Sequence, residues 1–173
     1  MSPVEIDLES RVKGDEHLAL KLWLCLLSCT NRVETVVRKR LAQEFDTTLP
    51  RFDLMAQLER HPQGLSMGEL SQRMMVTGGN VTGVTDQLEG EGLVQRHPHP
   101  SDRRALVVKL TPTGKRLFKR MASTHESWIA ELLGGLAISE QAQMHELLAT
   151  LKQALSSQAQ TQQQVNAEKG NTQ

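Results

Sequence analysis

The chain has 173 residues, 38% of them hydrophobic, and its 20 basic residues balance 20 acidic ones. That length fits one domain with extensions, and a formal charge of zero argues against indiscriminate nucleic-acid binding by the surface as a whole. An acidic start without an apolar segment argues against a secretory signal. No apolar run spans a membrane, two cysteines make no disulfide framework, and a soluble cytoplasmic protein is expected.

Residues 1–16 are polar and expected to be loosely ordered at their beginning. In residues 17–45 Leu18, Leu22, Cys25, Leu26, Cys29, Val33, Val36, Val37 and Leu41 recur at spacings of mostly three and four. That period predicts a long amphipathic helix, with Asp15 as a candidate N-cap. Residues 46–49 break it. Pro50 suits the first turn of a second helix that ends near Arg60 and buries Phe52, Met55 or Leu54, and Leu58. His61-Pro62-Gln63-Gly64 stops that helix.

Leu65-Ser66-Met67 reads as a short strand. Ser66 and Glu69 have the spacing of a capping box, which starts a short helix over residues 68–74. A turn at residues 76–79 leads into a helix over residues 80–91, with Val81, Val84 and Leu88 inward and Gly92 as its stop. Two β-prone runs, residues 93–96 and 105–110, then flank a polar segment with two prolines and the turn Ser101-Asp102-Arg103-Arg104. Thr111 as N-cap and Pro112 behind it start another long helix, to about Leu133, with Leu117, Met121, Trp128 and Leu132 on one side. Gly134-Gly135 breaks it. Ser139 is expected to cap a last helix through Leu155, with Glu140 favouring its dipole. Residues 156–173 are rich in Gln, Ser, Ala and Asn and are expected to form a flexible tail.

The neutral total hides an uneven distribution. From Leu93 to Met121 eight basic residues (Arg96, Arg103, Arg104, Lys109, Lys115, Arg116, Lys119, Arg120) face one acid, Asp102, a local charge of +7. A local basic stripe outranks the global sum as a sign of nucleic-acid contact. A two-stranded ribbon with arginines at its tip suits insertion into a groove, where a narrow minor groove concentrates negative potential.

The elements together predict a mainly α fold with a small β wing: a winged helix-turn-helix flanked by N- and C-terminal dimerisation helices. The division is residues 1–48 for the N-terminal dimerisation helix and 49–114 for the DNA-binding domain. Residues 115–155 form the C-terminal dimerisation helices and 156–173 the tail. The outer helices are too amphipathic to be stable alone, and the simplest partner is a second copy of the chain.

From about Leu49 to Gly114 the chain resembles the MarR family of bacterial transcription regulators. The motif is Asp102-x-Arg104 followed by Val108-x-Leu110-Thr111-x-x-Gly114, with Leu88-x-x-x-Gly92-Leu93-Val94-x-Arg96 upstream. The resemblance implies a homodimer on double-stranded DNA with a pseudo-palindromic operator. Each subunit would place one recognition helix in the major groove and one wing in the minor groove, on half-sites about 10 bp apart. It implies a repressor released by a small molecule or an oxidant. By the family motif Arg104 enters the minor groove beside Arg103, and Asp102 holds the turn.

The helix over residues 80–91 is the expected reader. Thr77, Asn80, Thr82, Thr85 and Gln87 offer short polar groups, threonine methyls suit the thymine methyl, and Asn or Gln can pair with adenine. Gly78, Gly79 and Gly83 depart from the bulkier or basic residues of many family members; such glycines, Gly79 among them, let the backbone approach phosphate closely. Arg73 is expected at phosphate, and some of Lys115, Arg116, Lys119 and Arg120 can reach it.

An effector pocket is implied where the first long helix, the Pro50 helix and the helix after the wing meet, with Trp23, Ser28, Cys29, Arg51, Phe52, Met55 and His61 as candidates. Residues 47–53 and 76–83 look like a subset of the family tied to breakdown of aromatic acids. An aromatic carboxylate, or alternatively its CoA thioester, is therefore the expected ligand, with Arg51 or His61 meeting the carboxylate. Release by cysteine oxidation is a further alternative, disfavoured because Cys25 and Cys29 lie on an apolar face where burial would make both thiols inert. The six histidines form no ligand cluster, so no metal and no cofactor is expected. A winged helix used only for protein–protein contact would lack the arginine tip and basic stripe. An enzyme would need a cofactor domain for which there is no room, and no nucleophile–base pair stands out.

Overall fold

Asp46 adopts a left-handed backbone (φ 48°) and its N–H donates to Leu41 O, which ends the first helix, α1 (Leu18–Phe45). The computed structural model describes residues 17–74, 78–98 and 106–170, with side chains as far as residue 158. Helix α2 (Leu49–Arg60) follows with Pro50 in its first turn. Strand β1 (Leu65–Ser66) leads into α3 (Met67–Met74), and α4 (Gly78–Gly90) precedes a hairpin of β2 (Val94–Pro98) and β3 (Leu106–Leu110). Helices α5 (Pro112–Leu132) and α6 (Ile138–Gly170) complete the order. The predicted fold class, mainly α with a small antiparallel wing, is the one observed.

The sheet order is β1-β3-β2, both pairs antiparallel, with Leu65 opposite Val108 and Val94 opposite Leu110. β2 runs two residues past its expected end at Arg96 and takes in His97 and Pro98. Proline is tolerated there because β2 is an edge strand with one side free of ladder bonds. Helix α4 begins at Gly78, inside the expected turn. It ends in a Schellman arrangement: Gly92 N–H donates to Glu89 O, Leu93 N–H donates to Leu88 O, and Gly92 takes φ 69°. No side-chain bond caps α1 at His17, and the expected cap Asp15 lies outside the described residues.

The chain divides into two compact units, Met1–Ile129 and Ala130–Gln173. The core of the first is built where the helix-turn-helix meets the sheet and the outer helices. Leu54, Met55, Leu58, Leu70, Val81, Leu88, Val94 and Val108 are almost wholly buried, with Leu41 from α1 and Met121 from α5. Only the C-terminal part of α1 contributes fully buried residues, Val37 and Leu41. Leu18, Leu22 and Trp23 are exposed, as are Cys25 and Cys29, so the expected burial of the two thiols is corrected. The apolar stripe exists, but its N-terminal half contributes no buried residue.

Aromatic contacts tie α1, α2 and α5 together. Phe52 lies 5.5 Å from Phe118 and 4.9 Å from His125, and Trp128 lies 6.2 Å from Phe45. Burial in this cluster pushes the His125 imidazole below its ordinary value of 6.5. The folded chain therefore keeps His125 neutral where the unfolded chain takes up a proton. Its stability is fully present above the ordinary value and falls as pH drops through it. We expect His125→Phe to remove that part of the decline between about pH 7 and about pH 5.5 in urea denaturation. Equal slopes in both proteins would clear His125 of the effect.

In the second unit Ala137 N–H donates to Glu140 Oε2 (2.7 Å), and Gln141 Nε2 donates to Leu133 O and Leu136 O. Glu140 thus reaches back across the first turn of α6, and Ser139, expected as the cap, lies inside the helix. Helix α6 also continues past the expected end at Leu155 to Gly170. Gln, Ala, Lys and Glu are good helix formers, so a segment with little to bury still has the propensity to extend a helix already nucleated. No described helix is long and apolar enough to cross a membrane.

Candidate nucleic-acid interface

The helix-turn-helix is set by local bonds. Ser66 N–H donates to Glu69 Oε2 (2.8 Å) and Glu69 N–H to Ser66 Oγ (3.3 Å), the reciprocal bonds of the expected capping box. Helix α3 then leads towards α4, whose Val81, Thr85 and Leu88 are buried. The opposite face of α4 carries Gly78, Gly79, Asn80, Thr82, Gly83, Asp86 and Gln87, all exposed, and Arg73 is exposed on α3. Three glycines leave the backbone of α4 open, with nothing near the place of a side chain at Gly78, Gly79 or Gly83. The surface presents amides, one threonine methyl and bare backbone, groups that fit base edges and phosphate oxygens.

One expected reader fails. Thr85 is 0% exposed and its hydroxyl donates to Val81 O at 2.8 Å, so it belongs to the core side of α4 and offers no group to DNA. Thr82 Oγ1 donates to Gly78 O (3.0 Å), which leaves its methyl and oxygen lone pairs outward. Thr77, Asp102, Arg103 and Arg104 lie outside the described residues. The strands that lead into and out of residues 99–105 are in register from Val94↔Leu110 to Pro98↔Leu106.

Sequence reasoning missed a contact. Arg96, counted among the free cations, donates from Nη2 to Asp86 Oδ1 (2.6 Å) and from Nη1 to Glu89 Oε2, while its backbone N–H donates to Glu89 Oε1 (2.9 Å). Hydrogen bonding to Asp86 raises the Arg96 pKa further above its ordinary value. The guanidinium thus joins β2 to α4 and neutralises an acid on the outward face of α4. The signal was present: two acids at i,i+3 on a helix, followed after the Gly92 stop by an arginine.

The effector candidates fall in several different settings. Phe52 and Met55 are members of the core. The side chain of Arg51 is mostly buried and pairs with Glu91, so the carboxylate expected from a ligand is already supplied by the chain, while its Nε has no partner. His61 Nδ1 bonds Gln57 O at 2.8 Å. Trp23 and Cys29 are exposed and Ser28 half-buried, all on the part of α1 without a fully buried residue.

A family model described as the MarR family matches residues 47–106, from just before α2 to the first residue of β3. A crystal structure of a MarR family transcriptional regulator from Silicibacter pomeroyi is 35% identical, and the match covers 84% of this chain and 99% of that one at a TM-score of 0.68. The chain belongs to the MarR family. The transcriptional repressor MdtR of Bacillus subtilis is 26% identical over 160 residues, 92% of this chain and 99% of its own length. The transcriptional activatory protein BadR of Rhodopseudomonas palustris is 26% identical over 155 residues, 87% of this chain and 88% of its own. This MarR-family protein is a DNA-binding transcriptional regulator.

Proposed function

We propose that the protein is a homodimeric repressor in the cytoplasm that holds a pseudo-palindromic operator and releases it when an aromatic carboxylate binds. The observation that carries the reading is the outward face of α4, with Asn80, Thr82, Gln87 and three glycines exposed beside a hairpin that leads to Asp102, Arg103 and Arg104. In this reading Arg73 and the glycine backbone hold phosphate, Asn80, Thr82 and Gln87 meet base edges, and the wing arginines enter the minor groove. Thr77, at the entrance to α4, joins the readers.

Dimerisation is supported by unpartnered apolar faces. Leu18, Leu20, Leu22, Trp23 and Leu27 are exposed on α1. Separately, Met144, Leu148, Leu151 and Leu155 are exposed on α6 at spacings of three and four, a stripe that a second helix would cover. The aromatic ligand rests on the resemblance of residues 47–53 and 76–83. In the dimer the exposed Trp23 and Cys29 and the half-buried Ser28 of α1 would help enclose it, with His61 at the carboxylate, or Arg51 through the Nε that its pairing with Glu91 leaves without a partner. Oxidation of Cys25 or Cys29, both exposed in the single chain, is a second route to release, and it requires a thiol that the second copy leaves uncovered.

Binding to the DNA upstream of its own gene, followed by fluorescence anisotropy at two salt concentrations, tests this. Salt-dependent binding is expected, reversed by one compound from a panel of aromatic acids and their CoA thioesters, with peroxide as a separate arm. Binding that ignores salt, or none, would overturn the DNA-binding reading of these residues. Arg104→Ala is expected to weaken operator binding about tenfold, ~1.4 kcal/mol, and to flatten the salt slope. Unchanged affinity would remove Arg104 from the groove.

A further inference from the structure

An open groove of about 620 Å³ lies between the C-terminal end of α1 and one face of α5, lined by Phe45, Arg116, Lys119, Arg120, Ser123 and Thr124. Both walls belong to the first compact unit. The five α5 residues follow the i, i+3, i+4, i+7, i+8 spacing that puts them on one helical face. No carboxylate among the described residues pairs with Arg116, Lys119 or Arg120. The one side-chain bond of Arg116 is to a neutral oxygen, Thr113 Oγ1, at 3.1 Å.

This arrangement is unfavourable by itself. Arg116 and Arg120 are i,i+4, and like charges at that spacing destabilise a helix. The guanidinium and ammonium heads are exposed on α5. Their methylene stems and the half-buried Phe45 ring, itself held against Trp128, supply apolar surface alongside the charge. Ser123 and Thr124 add hydroxyls; Thr124 Oγ1 already donates to Arg120 O (3.1 Å), while Ser123 Oγ has its proton to give.

We propose that this groove binds a phosphate-bearing small molecule with an attached planar or apolar group. Three cations within two helical turns match an oxyanion of more than one charge better than a monocarboxylate. Guanidinium groups pair with phosphate through paired N–H donors. Phe45 takes the planar part, and Ser123 donates to a remaining phosphate oxygen. The lining contains none of the residues assigned to the aromatic effector, so the site does not depend on a free carboxylate bound there, whereas the CoA thioester alternative itself carries the diphosphate and adenine that this groove fits.

The test is isothermal titration of the full-length protein with three probes: sodium pyrophosphate, ADP and benzoate. Saturable binding of pyrophosphate is expected, with ADP tighter because its base can stack on Phe45. Lys119→Gln/Arg120→Gln should weaken both at least tenfold while leaving the melting temperature unchanged, since both residues are on the surface. Phe45→Leu should remove the advantage of ADP over pyrophosphate. The proposal is overturned if neither probe binds at millimolar concentration, or if the double variant binds them as the parent does. It is also overturned if that variant loses operator affinity and salt dependence with probe binding intact, which would assign the cations to the DNA backbone. The benzoate arm reads the aromatic effector separately.

Discussion

Gly114→Ala is expected to destabilise the protein by about 3 kcal/mol or more, beyond the ordinary cost of overpacking. The reason is a backbone crossing. A Cβ at residue 114 would lie 2.0 Å from Leu93 O and 2.9 Å from Leu93 C. Leu93 cannot step aside, because its carbonyl accepts Thr111 N–H (3.0 Å) and its N–H closes the end of α4 on Leu88 O. Thr111 Oγ1 also donates to Gly92 O (2.7 Å) and accepts from Gly114 N–H (3.0 Å). The first turn of α5 is thus pinned to the joint between the recognition helix and the wing. Relief of the clash must move α5 or the reading head. Urea denaturation reads the stability loss, and operator affinity should fall with it even in the cold. A variant that melts within about 2 °C of the parent would show that the crossing can relax.

The approach of Gly114 to Leu93 spans some twenty residues and was not legible from the chain, but the bonds beside it are short-range: Thr111 with Gly114, Ser66 with Glu69, and Gly92 with Glu89. Each was readable as a cap or stop because the physics is local. Thr85 shows where a careful reading of period would have gone further: it is four residues after Val81 and three before Leu88, the buried pair, whereas Thr82 is not. Treating both threonines as polar hid that difference. The thiols of Cys25 and Cys29 were misplaced for another reason. Periodicity identifies an apolar stripe but not what covers it, and among the described residues only the C-terminal part of α1 contributes buried side chains. The reach of α6 to Gly170 was missed because composition was read as lack of packing, although helix propensity survives without packing. An effector site is harder to read from the chain, since it needs side chains from separate helices to converge, and two of its candidates, Phe52 and Met55, also belong to the core.

Arg96 was legible as a cation and illegible as a clamp, and its removal should give the other large effect. Arg96→Met keeps the stem and deletes the charge that holds Asp86 and Glu89. Exposed pairs contribute little, about 0–1 kcal/mol each, so a stability loss of only about 1–2 kcal/mol is expected from losing the two side-chain bonds, the backbone N–H bond to Glu89 being kept. The effect on DNA should be larger. Asp86 lies on the outward face of α4 with 58% of its side chain exposed, and without Arg96 its carboxylate and that of Glu89 would face a polyanion uncompensated. Operator affinity should drop at least tenfold, ~1.4 kcal/mol, and more steeply at low salt, where repulsion is less screened. Asp86→Asn in the Arg96→Met background distinguishes charge from geometry. Recovery of most of the lost affinity means that Arg96 acts by masking an acid on the reading face. A double variant as weak as Arg96→Met means that the guanidinium acts as a strut that fixes α4 against β2, so the two reading elements meet the operator as one body.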